Sequence, residues 1–314
     1  MHLPMRAIRQ EVLGGAEVLE LVEVPRPALG PTEVLVRTAA AGVNPVDWKT
    51  RARGGFLGQP PFTVGWDVAG VVEEAGAGVT RFAPGDRVFG MPRFPREAAA
   101  YAEFVTSPSR QLAAIPDGLG DVEAGALPLA GLTAWQALVE TAGVGAGQRV
   151  LILGAAGGVG HLAVQVAKAR GAYVIGTARA AKHGFLAGLG ADEAIDYTAE
   201  DVAGRAGEVD VVLDLVGGEE SSEALPCLRD GGLFVLVPSI SAVAALRERA
   251  GDRVRVTGIL VEPDRSGLEA LAGLVGAGRL RPSVERTFPL EQAARAHELG
   301  ETGRTQGKIV LTMA

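Results

Sequence analysis

Residues Val150–Arg179 read VLILGAAGGVGHLAVQVAKARGAYVIGTAR. A short apolar β run leads into a glycine-rich turn, then a segment with helical apolar spacing, then a second β run ending in YVIGT. That succession is the βαβ unit of a parallel sheet. Within the turn, Ala155, Gly157 and Gly160 fill the three glycine positions of a dinucleotide fingerprint, with alanine at the first and Gly158 and Val159 between the others. Gly157 lets the backbone approach a pyrophosphate, and Gly160 lets the helix pack closely on the sheet. The helix start offers free N–H groups and a positive dipole end to phosphates. Val159, Leu162, Ala163, Val166 and Ala167 form one apolar stripe, which leaves Gln165 and Lys168 to face water. The competing reading is a βα turn that binds nothing. The flanking strand and amphipathic helix favour nucleotide binding.

The end of the second strand carries the cofactor choice. An NAD-binding chain tends to place a carboxylate there to hold the ribose. After Thr177 this chain has Ala178 and Arg179, with Lys182 and His183 close behind. A guanidinium pairs with phosphate through two parallel hydrogen bonds, and Lys182 adds a second cation. Both suit a 2′-phosphate, so the stretch predicts NADP(H) over NAD(H). The alternative is a solvated helix start, but cations at a helix N-terminus cost roughly 0.3–1 kcal/mol each and need another reason to be there.

Outward from this unit the rhythm changes. Residues 1–124 are rich in short β-type runs punctuated by turns such as Pro84-Gly85-Asp86 and Pro116-Asp117-Gly118. Residues 125–257 alternate apolar runs with helical patterns, the mark of a parallel α/β sheet. Residues 258–314 hold two helix-like segments and a closing strand, GKIVLTM. With 314 residues the chain is long enough for two domains. Charged residues make up 21% and the net charge is −7, which excludes disorder and disfavours nucleic-acid binding. Cys227 is the only cysteine, so intramolecular disulfides and multi-thiolate zinc sites are excluded. No apolar run spans a bilayer, and the opening MHLPMRAIRQEV lacks the apolar core of a signal peptide. A soluble cytoplasmic protein without a membrane partner is expected.

Several segments together carry a family likeness: AAGVNPVDWKTRAR (40–53), GWDVAGVVEEAGAGVTRFAPGDRVFG (65–90), LPLAGLTAWQAL (127–138), LGAAGGVG (153–160), LGADEAIDY (189–197), DVVLDLVGG (210–218) and RTQGKIVL (304–311). The chain resembles the zinc-independent quinone oxidoreductase branch of the medium-chain dehydrogenase/reductase superfamily. The resemblance implies an α/β protein with two domains. A GroES-like β-rich substrate domain is built from 1–124 and 258–314, and a Rossmann doubly wound parallel-sheet domain from 125–257. Zinc-dependent relatives carry cysteine where this chain has Asn44, and a His-Glu pair where it has Trp66 and Asp67. Only ten residues, Met91 to Ala100, stand where their cysteine-rich lobe would lie. The four histidines show no ligand spacing, and His161 and His297 read as helix-surface residues. No metal is expected.

What remains is hydride transfer from NADPH to an electron-poor acceptor, a quinone or an α,β-unsaturated carbonyl such as an enone or alkenal, whose developing oxyanion needs stabilising. Asn44 offers an amide N–H, and Lys49 offers a cation that steadies the anion or passes on a proton. Lysine at this position is shared with some enone and alkenal reductases of the family. Trp48 and Trp66 are candidate walls for a planar acceptor. Each has a bland alternative: Asn44 sets a turn before Pro45, Lys49 is solvated, and the tryptophans are core. Asp47 reads as a structural partner rather than a catalytic group. By resemblance, further cofactor contacts fall at Thr133, Tyr197, Val216 and Gly217, Pro238 and Ser239, Ile259 and Val261, and Lys308. An enoyl-thioester or polyketide-related reductase is the second reading, and a non-catalytic NADPH-binding structural or regulatory protein the third. The edge strand in VRVTGI favours a homodimer by pairing with its copy.

Overall fold

The computed structural model describes residues 3–218 and 220–313. In chain order the strands are β1 (Pro4–Arg9), β2 (Glu20–Pro25), β3 (Glu33–Val43), β4 (Val68–Ala75), β5 (Arg87–Gly90), β6 (Phe104–Pro108) and β7 (Leu112–Ala114). Then follow β8 (Arg149–Leu153), β9 (Tyr173–Thr177), β10 (Glu193–Ile195), β11 (Val209–Asp214), β12 (Leu228–Leu236) and β13 (Arg255–Gly258). The chain closes with β14 (Val284–Pro289) and β15 (Lys308–Thr312). It divides into two compact units, 1–132 with 262–314, and 133–261. The sequence patterns changed a few residues earlier, at 124/125 and 257/258.

The first unit is the GroES-like one. Its main sheet runs β14-β15-β3-β4-β5-β7, with β6 also paired to β3. The long β3 is the organiser, because β15, β4 and β6 all pair with it antiparallel. The C-terminal strand therefore completes a sheet begun near residue 33, with Val310 opposite Gly42 and Ile309 opposite Val43. Apolar residues from both chain ends share one core: Ile8, Val43, Phe62, Tyr101, Phe288, Ala296 and Leu311. Each large apolar side chain so buried stabilises by about 1.5–3 kcal/mol relative to exposure.

The second unit is the Rossmann one. Its six strands run β10-β9-β8-β11-β12-β13, and every pairing is parallel. This is the doubly wound order in which the chain reverses direction between the first and fourth strands. Strands buried on both faces explain the near-continuous apolar runs. Leu151, Ile175, Val212 and Phe234 lie in its core. The helix Gly160–Ala169 buries every residue from Gly160 to Ala167. Gln165 is among them and donates to His161 O at 2.9 Å, which corrects its expected place in water. Lys168 is half-buried and ion-pairs with Asp192 at 2.7 Å. β13 ends the sheet. Arg253 and Arg255 bend back to carbonyls of their own unit, and Val254 and Val256 are buried, so no apolar face is left along that strand.

Candidate functional site

Each unit contributes a polar cluster. In the first, the helix Pro45–Arg53 starts at Asn44, with proline at its first position, where a missing N–H costs nothing. Asp47 reaches back so that its Oδ2 accepts from Asn44 N at 2.7 Å, half of a capping box. The Asn44 amide donates to Asp67 Oδ2 at 2.8 Å, and its Oδ1 accepts from Lys308 Nζ. Lys308 Nζ also donates to Val43 O at 2.9 Å and lies 3.6 Å from Asp67. Asp67 Oδ1 accepts from Leu129 N at 2.7 Å. Burial pulls the Lys308 ammonium down and pushes the Asp67 carboxyl up from their ordinary values, while their mutual attraction opposes both shifts.

These contacts revise two expectations. Lys308 is 2% exposed, and the donors of its ammonium are directed to Val43 O, Asn44 Oδ1 and Asp67, so it is not a cofactor contact. Asn44 is equally buried and spends its amide within the unit, on Asp67 and, at 3.5 Å, Gly42 O. It is a structural tie rather than a donor to an acceptor.

A second chain of contacts runs behind Asp47. Tyr101 Oη donates to Asp47 Oδ2 at 2.8 Å and lies 3.1 Å from His297 Nε2. Arg51 Nη1 lies 3.2 Å from His297 Nδ1, and Arg51 forks onto Glu301 at 2.7 and 3.2 Å. An arginine only donates, so His297 Nδ1 accepts and Nε2–H points to Tyr101. Burial pushes Asp47 up to about 7, opposed by the Asn44 and Tyr101 hydrogen bonds. Burial and the neighbouring Arg51 pull His297 down to about 3. The surface expectation for His161 and His297 is therefore wrong, since neither has exposed surface. His297 shares a buried helical stripe with Ala293, Ala296 and Gly300, a spacing visible in the sequence that the histidine disguised.

The aromatic candidates are core as well. Trp66 is 0% exposed, donates to Arg96 O at 2.7 Å and meets Phe94 edge-on. Trp48 is half-buried and packs against Gly300, where an added Cβ would stand 2.6 Å from its ring. A fully buried Trp66 presents no wall to an acceptor. Lys49 alone among these candidates is exposed.

In the second unit the glycine-rich turn at Gly157 and the Arg179 side chain stay open. Gly154 N donates to Thr177 Oγ1 at 3.0 Å, which fixes the glycine-rich turn to β9. A Cβ on Gly160 would stand 2.3 Å from Gly154 O, so only glycine lets the helix begin here. A Cβ on Gly157 would meet nothing nearer than 3.4 Å, so this glycine keeps an approach clear rather than relieving a clash. Ala155 is buried against Gly176, and Gly158 and Val159 are half-buried between them. Past β9, Arg179 is exposed and its Nε donates to Tyr197 Oη at 3.2 Å, while Lys182 is half-buried. Asp196, which sequence reading passed over, lies nearby. It accepts from Ala180 N at 3.2 Å and from the Thr198 backbone and hydroxyl at 3.0 and 2.7 Å, and those Thr198 bonds hold it below its ordinary value. That carboxylate is committed to its own turn. Asp214 caps the turn after β11, accepting from Val216 N at 2.8 Å and Gly217 N at 3.0 Å. Pro238, Ser239 and Ile259 are half-buried, whereas Thr133 and Val261 are buried.

The alcohol dehydrogenase GroES-like domain model matches residues 30–117, and the zinc-binding dehydrogenase model matches 189–311. The chloroplast envelope quinone oxidoreductase homolog of Arabidopsis thaliana is 34% identical over 313 residues, covering 95% of each chain. The quinone oxidoreductase from Coxiella burnetii superposes with a TM-score of 0.94 at 38% identity, covering 99% of this chain and 100% of that one. The Escherichia coli quinone oxidoreductase, solved in complex with NADPH, gives 0.88 at 30% identity, covering 98% and 99%. The chain belongs to the quinone oxidoreductases of the medium-chain dehydrogenase/reductase superfamily, and it is an oxidoreductase. Zinc does not fit its residues. Where zinc-dependent relatives place ligands, this chain has a committed amide and an indole, and the Lys308 ammonium lies between Asn44 and Asp67, where it would repel a dication. No group of three or more His, Cys, Asp or Glu side chains fit to hold a metal occurs among the described residues. No described helix is long and apolar enough to cross a membrane.

Proposed function

We propose that this chain is a metal-free, NADPH-dependent reductase of quinones or α,β-unsaturated carbonyls, acting as a cytoplasmic homodimer. The observation that carries the cofactor choice is the exposed Arg179 beside Tyr197 at the end of β9, with Asp196 turned into its own loop. A ribose-binding carboxylate is thus replaced by a guanidinium suited to a 2′-phosphate. Gly157, Gly158, Val159 and the start of the helix behind them receive the pyrophosphate. Thr177, Val216, Gly217, Pro238 and Ser239 border the dinucleotide along the carboxyl edge of the sheet, with Thr133, Ile259 and Val261 where the chain enters and leaves this unit. The bound nicotinamide supplies a hydride from carbon 4 of its ring. Lys49 provides the cation for the oxyanion that forms on the acceptor, and the buried Asn44–Asp67–Lys308 cluster fixes the start of its helix. For assembly, β13 is the sheet edge, and the exposed Arg253 and Arg255 hydrogen-bond to carbonyls of their own unit, which supports pairing of that edge with its copy. Loss of NADPH absorbance against a panel of quinones, enones and enoyl thioesters tests the reaction. Consumption with quinones or enones is expected. Binding without consumption by any of them would make this a non-catalytic member.

A further inference from the structure

The helix Pro45–Arg53 is held by polar side chains. Its buried residues are Asp47, Thr50 and Arg51. Val46 and Trp48 are only half-buried, and Lys49 is exposed. An apolar stripe would hold a short helix by burial, which has no directional preference. Hydrogen bonds weaken steeply when their angles are lost, so a helix gripped by them has one rotational setting.

The grip is a closed ring. Asp47 and Arg51 stand one helical turn apart on the same face. Arg51 Nη1 lies 3.2 Å from His297 Nδ1, and His297 Nε2 lies 3.1 Å from Tyr101 Oη, which donates to Asp47 Oδ2 at 2.8 Å. Because arginine only donates, every link runs in one sense, from guanidinium to imidazole to phenol to carboxylate. The helical turn between Asp47 and Arg51 closes the circuit. Both anchor points are also tied outside it. Asp47 Oδ2 accepts from Asn44 N at 2.7 Å. Arg51 sends Nε to Gly14 O at 3.1 Å and forks onto Glu301, one turn beyond His297 on the helix Ala293–Glu301. Charge-assisted and bidentate bonds of this kind are the strong ones.

Tyr101, His297 and Glu301 have no part in the reaction proposed above, whose cation is Lys49. At about 100° per residue, Lys49 stands about 160° round the helix from both Asp47 and Arg51. Its direction is therefore fixed by the opposite face. A rotation of the helix by about 20° would carry a side-chain tip ~6 Å from the axis through ~2 Å. Misplacement by about 1 Å can cost about 100-fold in rate. We propose that the Arg51–His297–Tyr101–Asp47 ring sets the direction of Lys49, which makes Tyr101 and His297 positioning residues for reduction of the acceptor. This rests on the reductase reading with Lys49 as its cation.

The test is a double-mutant cycle in kcat, followed as NADPH oxidation by the full chain with the fastest quinone or enone of the panel. Tyr101→Phe keeps the shape of the ring and removes the hydroxyl that joins His297 to Asp47. Its kcat is expected to fall about tenfold or more, with KM for NADPH within about twofold of the parent. Lys49→Met lowers kcat by itself. Adding Tyr101→Phe to it should change kcat by less than about twofold, because the direction of a missing ammonium no longer matters. Glu301→Gln, at the exposed end of the chain of contacts, weakens the fork and should repeat the pattern in smaller measure. It carries the test if Tyr101→Phe gives no cooperative melt. Equal losses from Tyr101→Phe with and without Lys49 overturn the proposal, since the ring then acts on the fold at large. An unchanged kcat in a folded Tyr101→Phe overturns it too. Full turnover by Lys49→Met removes the target of the ring and leaves the reductase reading standing, whereas no oxidation by the parent with any quinone or enone sinks both.

Discussion

The 1–132/262–314 unit and the 133–261 unit both gather polar side chains at the ends of strands, and they use them differently. In the first, Asn44, Asp67 and Lys308 are buried and bonded to one another. In the second, Arg179 is exposed, and a Cβ on Gly157 would meet no atom nearer than 3.4 Å. Residue types that look catalytic in a sequence are thus spent on holding the GroES-like sheet together, while the less conspicuous glycine turn and its trailing arginine stay available to a ligand. Buried polar groups must find partners within the fold, because an unpaired one costs more than the pair contributes. Exposed ones face no such demand.

The contrast breaks first at Asp67. Asp67→Ala leaves the Lys308 ammonium buried without its carboxylate and Leu129 N without an acceptor. A loss of about 3–5 kcal/mol is expected in denaturant unfolding. A change below 1 kcal/mol would show the cluster to be solvated after all. Arg179→Ala should do the reverse, leaving stability alone and weakening NADPH by about 1.5–3 kcal/mol in equilibrium titration. NADH should be nearly unaffected, and an equal loss for both cofactors would remove Arg179 from phosphate recognition.

A smaller effect lies in the pH dependence of stability. Asp47 is raised to about 7 in the fold, so its contribution is present below the unfolded value near 3.9 and is lost as pH rises through 7. His297 is lowered to about 3, so its contribution is present above 6.5 and is lost as pH falls towards 3. Between about pH 4 and 6.5 the two slopes oppose each other. Asp47→Asn should unmask a stability that falls with acid. His297→Gln should unmask one that falls as pH rises from about 4 to 7, each by on the order of 1 kcal/mol per pH unit. Thermal melts of both variants that track the parent at every pH would refute the pairing. The smallest change is expected for the exposed Lys49. Lys49→Met should shift stability by less than ~0.5 kcal/mol while slowing turnover, and unchanged turnover would take Lys49 out of the mechanism.

Most of the fold was legible. The β8 to β9 stretch carries period, turn and glycines locally, and parallel strands buried on both faces announce themselves as apolar runs. The polar cluster was not legible, because its contacts are remote in the chain: Lys308 meets Asn44 across 264 positions. No local pattern tells a committed amide from an available one. His297 was misplaced, and Trp66 left open between pocket wall and core, for a related reason, since their polar atoms reach Tyr101, Arg51 and Arg96 only through tertiary packing.

The fork from Arg51 to Glu301 joins residues 250 apart, and an entire nucleotide-binding unit is encoded between them. At typical translation speeds of about 5–20 residues per second, Arg51 leaves the ribosome roughly 10–50 s before its carboxylate does. Over that interval the 133–261 segment has everything it needs to fold, whereas β3 lacks β15 and its exposed edge has no native strand to accept. The waiting half-sheet is then the part of the nascent chain most in need of a chaperone. A circular permutant that brings residues 262–314 ahead of residue 1 would let β15 emerge before β3 and so remove the delay.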